Sequence, residues 1–232
     1  MSQKKNSPFL ELLITIVIPS IILMKLSGEE ALGPVWALIV ALSLPLGWGG
    51  YDLLRHRQFN FFAILGLISV LLTGGIGLLK LDNEWLAVKE AAIPGLIGLF
   101  VIASTFTRYS VIRLLLFNPQ LINLPLVMQR LEQRGNRELF ERRLTRSTWF
   151  LGGTFFFSSV MNYFLATWIV TSPSGSEAFN EELGRLTLLS YPMIALPSMV
   201  MMFIILWYIG RSVRQLAGLS FTQMLNEELQ GE

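Results

Sequence analysis

Long apolar runs separated by short polar clusters dominate this chain. A hydrocarbon layer about 30 Å thick takes roughly 20 helical residues to cross. Six runs approach that length: residues 8–26, 34–54, 59–79, 86–116, 148–171 and 186–209. The fourth exceeds one crossing and is expected to extend past the membrane interface as a helix. The pattern predicts an all-α polytopic membrane protein with about six transmembrane helices.

Three of the clusters between runs share a character. SGEE (27–30), LDNE (81–84) and GSEAFNEELG (175–184) are short and acidic, and a proline stands near the start of each following run, at Pro34, Pro94 and Pro192. The chain is therefore expected to form three hairpins, each leaving one side of the membrane, turning through an acidic loop and returning. Any six spans would pair in this way, so a degenerate internal repeat does not follow from the hairpins alone.

Lys and Arg give the hairpins a direction, because cytoplasmic loops carry an excess of them. With the N-terminus inside, fourteen fall on the inner side (Lys4, Lys5, Arg55, Arg57, Arg108, Arg113, Arg130, Arg134, Arg137, Arg142, Arg143, Arg146, Arg211 and Arg214), against four outside (Lys25, Lys80, Lys89 and Arg185). Both termini are expected in the cytoplasm, and in a cell without organelles the acidic loops face the periplasm. Composition supports a single membrane domain over 1–232: the chain is 53% hydrophobic and 15% charged, with mean hydropathy +0.55, too little polar surface for a soluble globule. Lys4 and Lys5 ahead of an apolar run resemble a signal peptide. No small-x-small cleavage site follows the run, so it is expected to remain as the first span.

Residues 117–147 form the largest expected cytoplasmic segment. Leu124, Val127, Met128 and Leu131 recur at helical spacing, as do Leu139, Phe140 and Leu144, and Glu138 and Arg142 stand four apart. Gly135-Asn136 is expected to split the segment into two short helices. Arg130, Arg134, Arg137, Arg142, Arg143 and Arg146 can meet anionic headgroups or a partner membrane protein; a solvated loop is the plain alternative. Nothing accompanies them that would bind nucleic acid.

Polar groups within the runs mark candidate chemistry, since burying them in lipid is costly. Glu11, Thr15 and Pro19 share a face of the first span, where Pro19 leaves the carbonyl of Thr15 without its helical donor. In the fourth, Lys89 can lie over Trp85, while Pro94 releases the carbonyl of Glu90. Adjacent Lys89 and Glu90 point about 100° apart, so each is expected to take a partner from another helix if buried. Thr154, Ser158 and Asn162 form a small polar stripe in the fifth span, either a groove lining or a helix-packing seam. Pro19, Pro45, Pro94, Pro192 and Pro197 are expected helix breaks, a feature of transporters. Gly74, Gly75 and Gly77 are expected to serve close packing at a helix end.

Other chemistry lacks its residues. The chain has no cysteine, and its one histidine, His56, has no second histidine with which to build a metal site or triad. No phosphate loop, His-Glu-x-x-His or Gly-x-Ser-x-Gly motif occurs. Neither an enzyme nor a cofactor is expected.

Gly74-Gly75, the acidic turn with Glu84, Trp85 and Lys89 opening the next span resemble the intracellular septation protein A family of bacterial inner-membrane proteins. So does the aromatic-rich fifth span, starting near Trp149 and carrying Asn162 and Tyr163. The chain departs from that family in three ways: Glu181-Glu182-Leu183-Gly184-Arg185 replaces an aromatic-Phe-Lys sequence, the arginine-rich segment is longer, and there is one more span. The resemblance implies cell-envelope maintenance at the inner membrane without an established reaction. Two functions are then expected to compete. One is a non-enzymatic factor that binds lipid or partner membrane proteins through an intramembrane groove. The other is a small, proton-coupled transporter or lipid translocator in which Glu11 or Glu90 titrates.

Overall fold

The computed structural model describes residues 11–56, 61–107, 111–116, 123–220 and 223, and every regular element among them is helical. A π-helical segment, Leu13–Val17, leads into α1 (Ile18–Lys25); α2 (Gly33–His56), α3 (Phe61–Leu78) and α4 (Asn83–Ala103) follow. After a 3-10 turn come α5 (Val111–Leu116), α6 (Leu124–Gln133) and the long α7 (Arg137–Ile169). Next come α8 (Glu177–Ser190), a second π segment, Tyr191–Ala195, and α9 (Leu196–Ala217).

Three helical stretches among the described residues are long and apolar enough to cross a membrane: Gly33–Tyr51, Asn83–Phe106 and Glu177–Ala217. Leu13–Lys25 and Ile64–Leu78 are shorter apolar helices. Large apolar side chains stand outward, with Trp36, Leu71, Leu96, Phe100, Val160 and Phe203 all exposed. Water would penalise so much exposed hydrocarbon; lipid tails would not.

The described residues divide into two compact units. The first comprises residues up to Ile93 together with Ser159–Ala195. In it α1 packs on α2 and α8, and α2 packs on α3. Leu23, Leu38, Ala41, Leu86, Leu165 and Phe179 are buried together at its centre. Two crossings depend on absent side chains. A Cβ at Gly184 would stand 2.8 Å from the backbone oxygen of Ser20 and 2.7 Å from Met24 Cγ, and one at Gly77 would stand 2.6 Å from Leu38 Cδ2. Gly74 meets Leu42 in the same way at 3.0 Å, whereas Gly75 has open space.

The second unit comprises Pro94–Ser158 and the chain from Leu196 onward. Val127, Leu131, Phe140, Leu144, Ile209 and Val213 form its core, joining α6, α7 and α9. Asn136 Nδ2 donates to the carbonyl of Leu216 at 2.9 Å, tying the turn between α6 and α7 to the end of α9. Gly98 on α4 and Gly152 on α7 let two backbones approach, so that a Cβ at Gly152 would lie 2.5 Å from Ile102 Cγ1.

Several expected elements differ from those observed. The run at 86–116 is not one long helix: α4 passes into a 3-10 turn at Ser104–Phe106, and Thr107 is extended (φ −108°, ψ 168°). Ser104, Thr105 and Thr107 each donate a hydroxyl proton to a backbone carbonyl three residues back, which offers the chain an alternative to the helical ladder. The expected loop at 175–184 is mostly helix, since the Ser176 side chain accepts the Phe179 amide and starts α8. Gly135 does separate two helices, but the second is not short: no proline and no positive-φ residue occurs between Arg137 and Ile169, so one helix holds both its arginines and the expected fifth span. Residues 117–122 of the expected basic segment lie outside the described residues.

The prolines also behave differently from one another. Pro45 and Pro94 sit inside unbroken helices. Before Pro19 the chain takes the wider π register, with the amide of Ile18 donating to the carbonyl of Leu13 five residues back. Pro192 lies within the second π segment, and Pro197 in the first turn of α9.

Candidate functional site

Within the first unit, a cavity of about 300 Å³ opens between α1, α3, α4, α7 and α8. Four of the expected groove residues line it, Thr15, Lys89, Glu90 and Asn162, together with Pro19, an expected helix break. Ser20, Ser69, Thr73, Thr187, Ser190 and Tyr191 supply further polar atoms, and Leu42, Val70 and Leu186 part of the apolar wall. Helical spacing explains the supply from single elements. Ser69 and Thr73 stand one turn apart on α3, and Lys89 and Glu90 open α4 after its acidic first turn.

Lys89 is the centre of the polar cluster, its side chain only 7% exposed. An ammonium has three protons to place. Thr73 Oγ1 accepts one at 2.7 Å, Ser69 Oγ lies at 3.2 Å, and Glu90 Oε1 completes an ion pair at 2.6 Å, while the Ser69 carbonyl stands farther off at 3.5 Å. The two neighbours do pair, contrary to the geometric expectation, because the four-carbon lysine stem bends back across the angle that separates their Cβ directions. Glu90 is 28% exposed and lines the cavity. Lys89 therefore reaches across to α3 instead of lying over Trp85, which is 60% exposed.

The rest of the expected site separates. Glu11 is exposed and outside the cavity lining; its carbonyl accepts the Thr15 hydroxyl at 2.7 Å. Thr154 and Ser158 belong to the second unit, where Thr154 Oγ1 donates to the Phe150 carbonyl and Ser158 shares a 3.0 Å hydrogen bond with Ser198. The stripe at Thr154, Ser158 and Asn162 is thus divided: its first two members contact neighbouring backbone and side chains, and Asn162 faces the cavity.

Three polar residues that the sequence did not single out tie the loop after α7 and the start of α2 to the rest of this unit. Glu182 on α8 accepts the backbone amides of Thr171 and Ser172 at 2.9 and 2.8 Å and the Ser172 hydroxyl at 2.7 Å. Asn83 donates to the Ser172 carbonyl at 2.6 Å and accepts from Ser174 at 2.8 Å. Asn180, fully buried, donates to the Pro34 carbonyl at 2.7 Å and to Ser27 at 3.1 Å. Their partners lie 10 to 153 residues away in sequence, beyond helical spacing, so no local pattern announces them.

In the second unit the basic residues divide by partner. Arg113 pairs with Glu141, Arg137 with Glu132, Arg142 with Glu138 at 2.6 Å, and Arg143 reaches Gln215 at 2.9 Å and Ser212 at 3.3 Å. Arg130, Arg134 and Arg146 are exposed and make no ion pair among the described residues. Comparison with family models, with curated proteins and with solved structures finds no match to this chain.

Proposed function

We propose that this is a non-enzymatic, six-span inner-membrane protein, with both termini cytoplasmic, that binds an amphiphile in the cavity between α1, α3, α4, α7 and α8 and serves cell-envelope maintenance. The observation that carries the reading is the cavity itself. Polar residues from five helices converge on one space, and an ion pair that lipid would penalise is kept there with its protons placed. The bias of fourteen Lys and Arg against four supports the orientation. Envelope maintenance follows the septation protein A resemblance at Gly74-Gly75, Glu84, Trp85 and Lys89. Arg130, Arg134 and Arg146 would hold anionic headgroups or a partner membrane protein at the inner face.

A second reading, a proton-coupled transporter or lipid translocator, has one observation in its favour. Both π segments contribute to the cavity wall, through Thr15 and Ile16 at one and Tyr191 at the other. Such segments are common at functional sites and can change register. Glu90→Gln would then abolish function in protein that still inserts.

Filling the cavity separates occupancy from scaffolding. Protein purified in native-lipid nanodiscs is expected to carry a bound amphiphile, seen by native mass spectrometry. Thr187→Trp should reduce its occupancy about tenfold, a loss equal to 1.4 kcal/mol of binding. Equal occupancy in wild type and Thr187→Trp would remove the cavity as the binding site.

A further inference from the structure

The hydrogen-bonding state of the cavity wall specifies what its occupant must offer, given the proposed reading that the cavity binds an amphiphile. Most of its hydroxyls have already given away their protons. Thr15 donates to the Glu11 carbonyl at 2.7 Å, Thr187 to the Leu183 carbonyl at 2.9 Å, Ser190 to the Leu186 carbonyl at 2.8 Å and Thr73 to the Ser69 carbonyl at 3.0 Å. What Thr15, Thr187 and Ser190 still present is oxygen lone pairs. Glu90, which lines the cavity, adds a carboxylate acceptor.

Ser20 departs from this pattern. It is 1% exposed and lines the cavity, yet its Oγ has no hydrogen-bond partner among the described residues. A buried hydroxyl left without a partner costs about 1–3 kcal/mol. The helix could have satisfied it as it satisfies Thr187 and Ser190. It stands in the wall as both a donor and an acceptor, and the Tyr191 hydroxyl stands beside the same space.

Charge narrows the choice further. Lys89 and Glu90 compensate one another at 2.6 Å, and the ammonium has spent its three protons on Thr73, Ser69 and Glu90. A phosphate would have to displace one of those acceptors and would face the Glu90 carboxylate. An amine would find that carboxylate already neutralised by Lys89. Either ion would lose its hydration without gaining an unspent counter-charge.

We propose that the cavity selects an uncharged, hydroxyl-rich headgroup, the glycerol or sugar of a neutral lipid, over a phosphate or an amine. Such a group donates to the lone pairs of Thr15, Thr187, Ser190 and Glu90, and its oxygens accept from Ser20. It leaves the Lys89–Glu90 pair intact. A volume of about 300 Å³ suits a headgroup, with the acyl chain left to the surrounding apolar surface.

Four probes with one oleyl-type chain test the selection: 1-oleoylglycerol, oleyl glucoside, oleoyl lysophosphatidate and oleylamine. Each is titrated onto the full chain in a zwitterionic detergent and its occupancy measured by native mass spectrometry. One of the two polyols is expected to bind about tenfold more tightly than either ion, and which of them wins identifies glycerol or sugar. Ser20→Ala should weaken that polyol about fivefold and leave the ions unchanged. Glu90→Gln, in protein of unaltered elution volume, should also weaken the polyol.

Tighter binding of lysophosphatidate or oleylamine, lost in Thr187→Trp, would overturn the selection while keeping the cavity as a site. The same holds for polyol affinity indifferent to both Ser20→Ala and Glu90→Gln. If Thr187→Trp alters no probe, the cavity is not the site and both readings fall.

Discussion

At the scale of single residues, the decisive group is Lys89. Its cationic head is held by two hydroxyls on α3 and the carboxylate of Glu90, with almost no access to bulk solvent. Removing one member of a buried pair leaves the other charged and uncompensated, which costs more than removing both. Lys89→Met is therefore expected to destabilise the protein by about 3 kcal/mol, and the double variant Lys89→Met with Glu90→Gln should recover more than half of the loss. Thermal unfolding in detergent measures both. Equal destabilisation in the single and double variants would mean that the pair is not coupled. The sequence marked Lys89 and Glu90 because charges beyond a turn and inside an apolar run stand out. It did not mark Ser69 and Thr73, whose one-turn spacing was available as a signal but whose hydroxyls are common in apolar helices. Ser20 carried no signal at all, because its importance is a missing bond.

At the scale of elements, helix crossings decide which substitutions the fold tolerates. Gly184 lies on Ser20, and a new methyl would meet, besides Met24 Cγ at 2.7 Å, the Ser20 backbone oxygen at 2.8 Å, which cannot swing aside. Gly75, one residue from the tight contact at Gly74, has nothing within reach. Gly184→Ala is expected to open the α1–α8 crossing and cost about 1–3 kcal/mol. Gly75→Ala should be neutral or stabilise by up to about 1 kcal/mol through helix propensity. Unfolding of the two variants side by side checks the contrast, and a Gly184→Ala protein as stable as Gly75→Ala would show that the crossing is looser than these distances. Long apolar runs located most helices because a helix of that length suits a hydrocarbon layer. They failed where local hydrogen bonds decide an end: the hydroxyls of Ser104, Thr105 and Thr107 close α4 early, and Ser176 starts α8 inside an acidic stretch that composition alone assigns to a loop. The Glu181–Arg185 pair, four residues apart and ending just past that stretch, was a helical signal that its acidity masked.

At the scale of the whole molecule, the absence of cysteine makes the number of bilayer crossings directly measurable. Introduced thiols are the only ones present, so each reports one position. Glu30 and Glu84 are exposed ahead of α2 and at the start of α4, and Gln133 is exposed at the end of α6. Two spans between Glu30 and Glu84 would return those residues to the same side, and one span between Glu84 and Gln133 would place Gln133 opposite. The proposed orientation puts the arginine-rich stretch around Gln133 on the cytoplasmic side, since moving that charge outward opposes the insertion bias. An impermeant maleimide is accordingly expected to label Glu30→Cys and Glu84→Cys in intact spheroplasts and Gln133→Cys only after lysis. Labelling of Glu30→Cys and Glu84→Cys from opposite sides would remove one of the two spans between them. Labelling of Gln133→Cys without lysis would reverse the orientation, and would put Arg130, Arg134 and Arg146 beyond the reach of the anionic cytoplasmic leaflet that their charge suits.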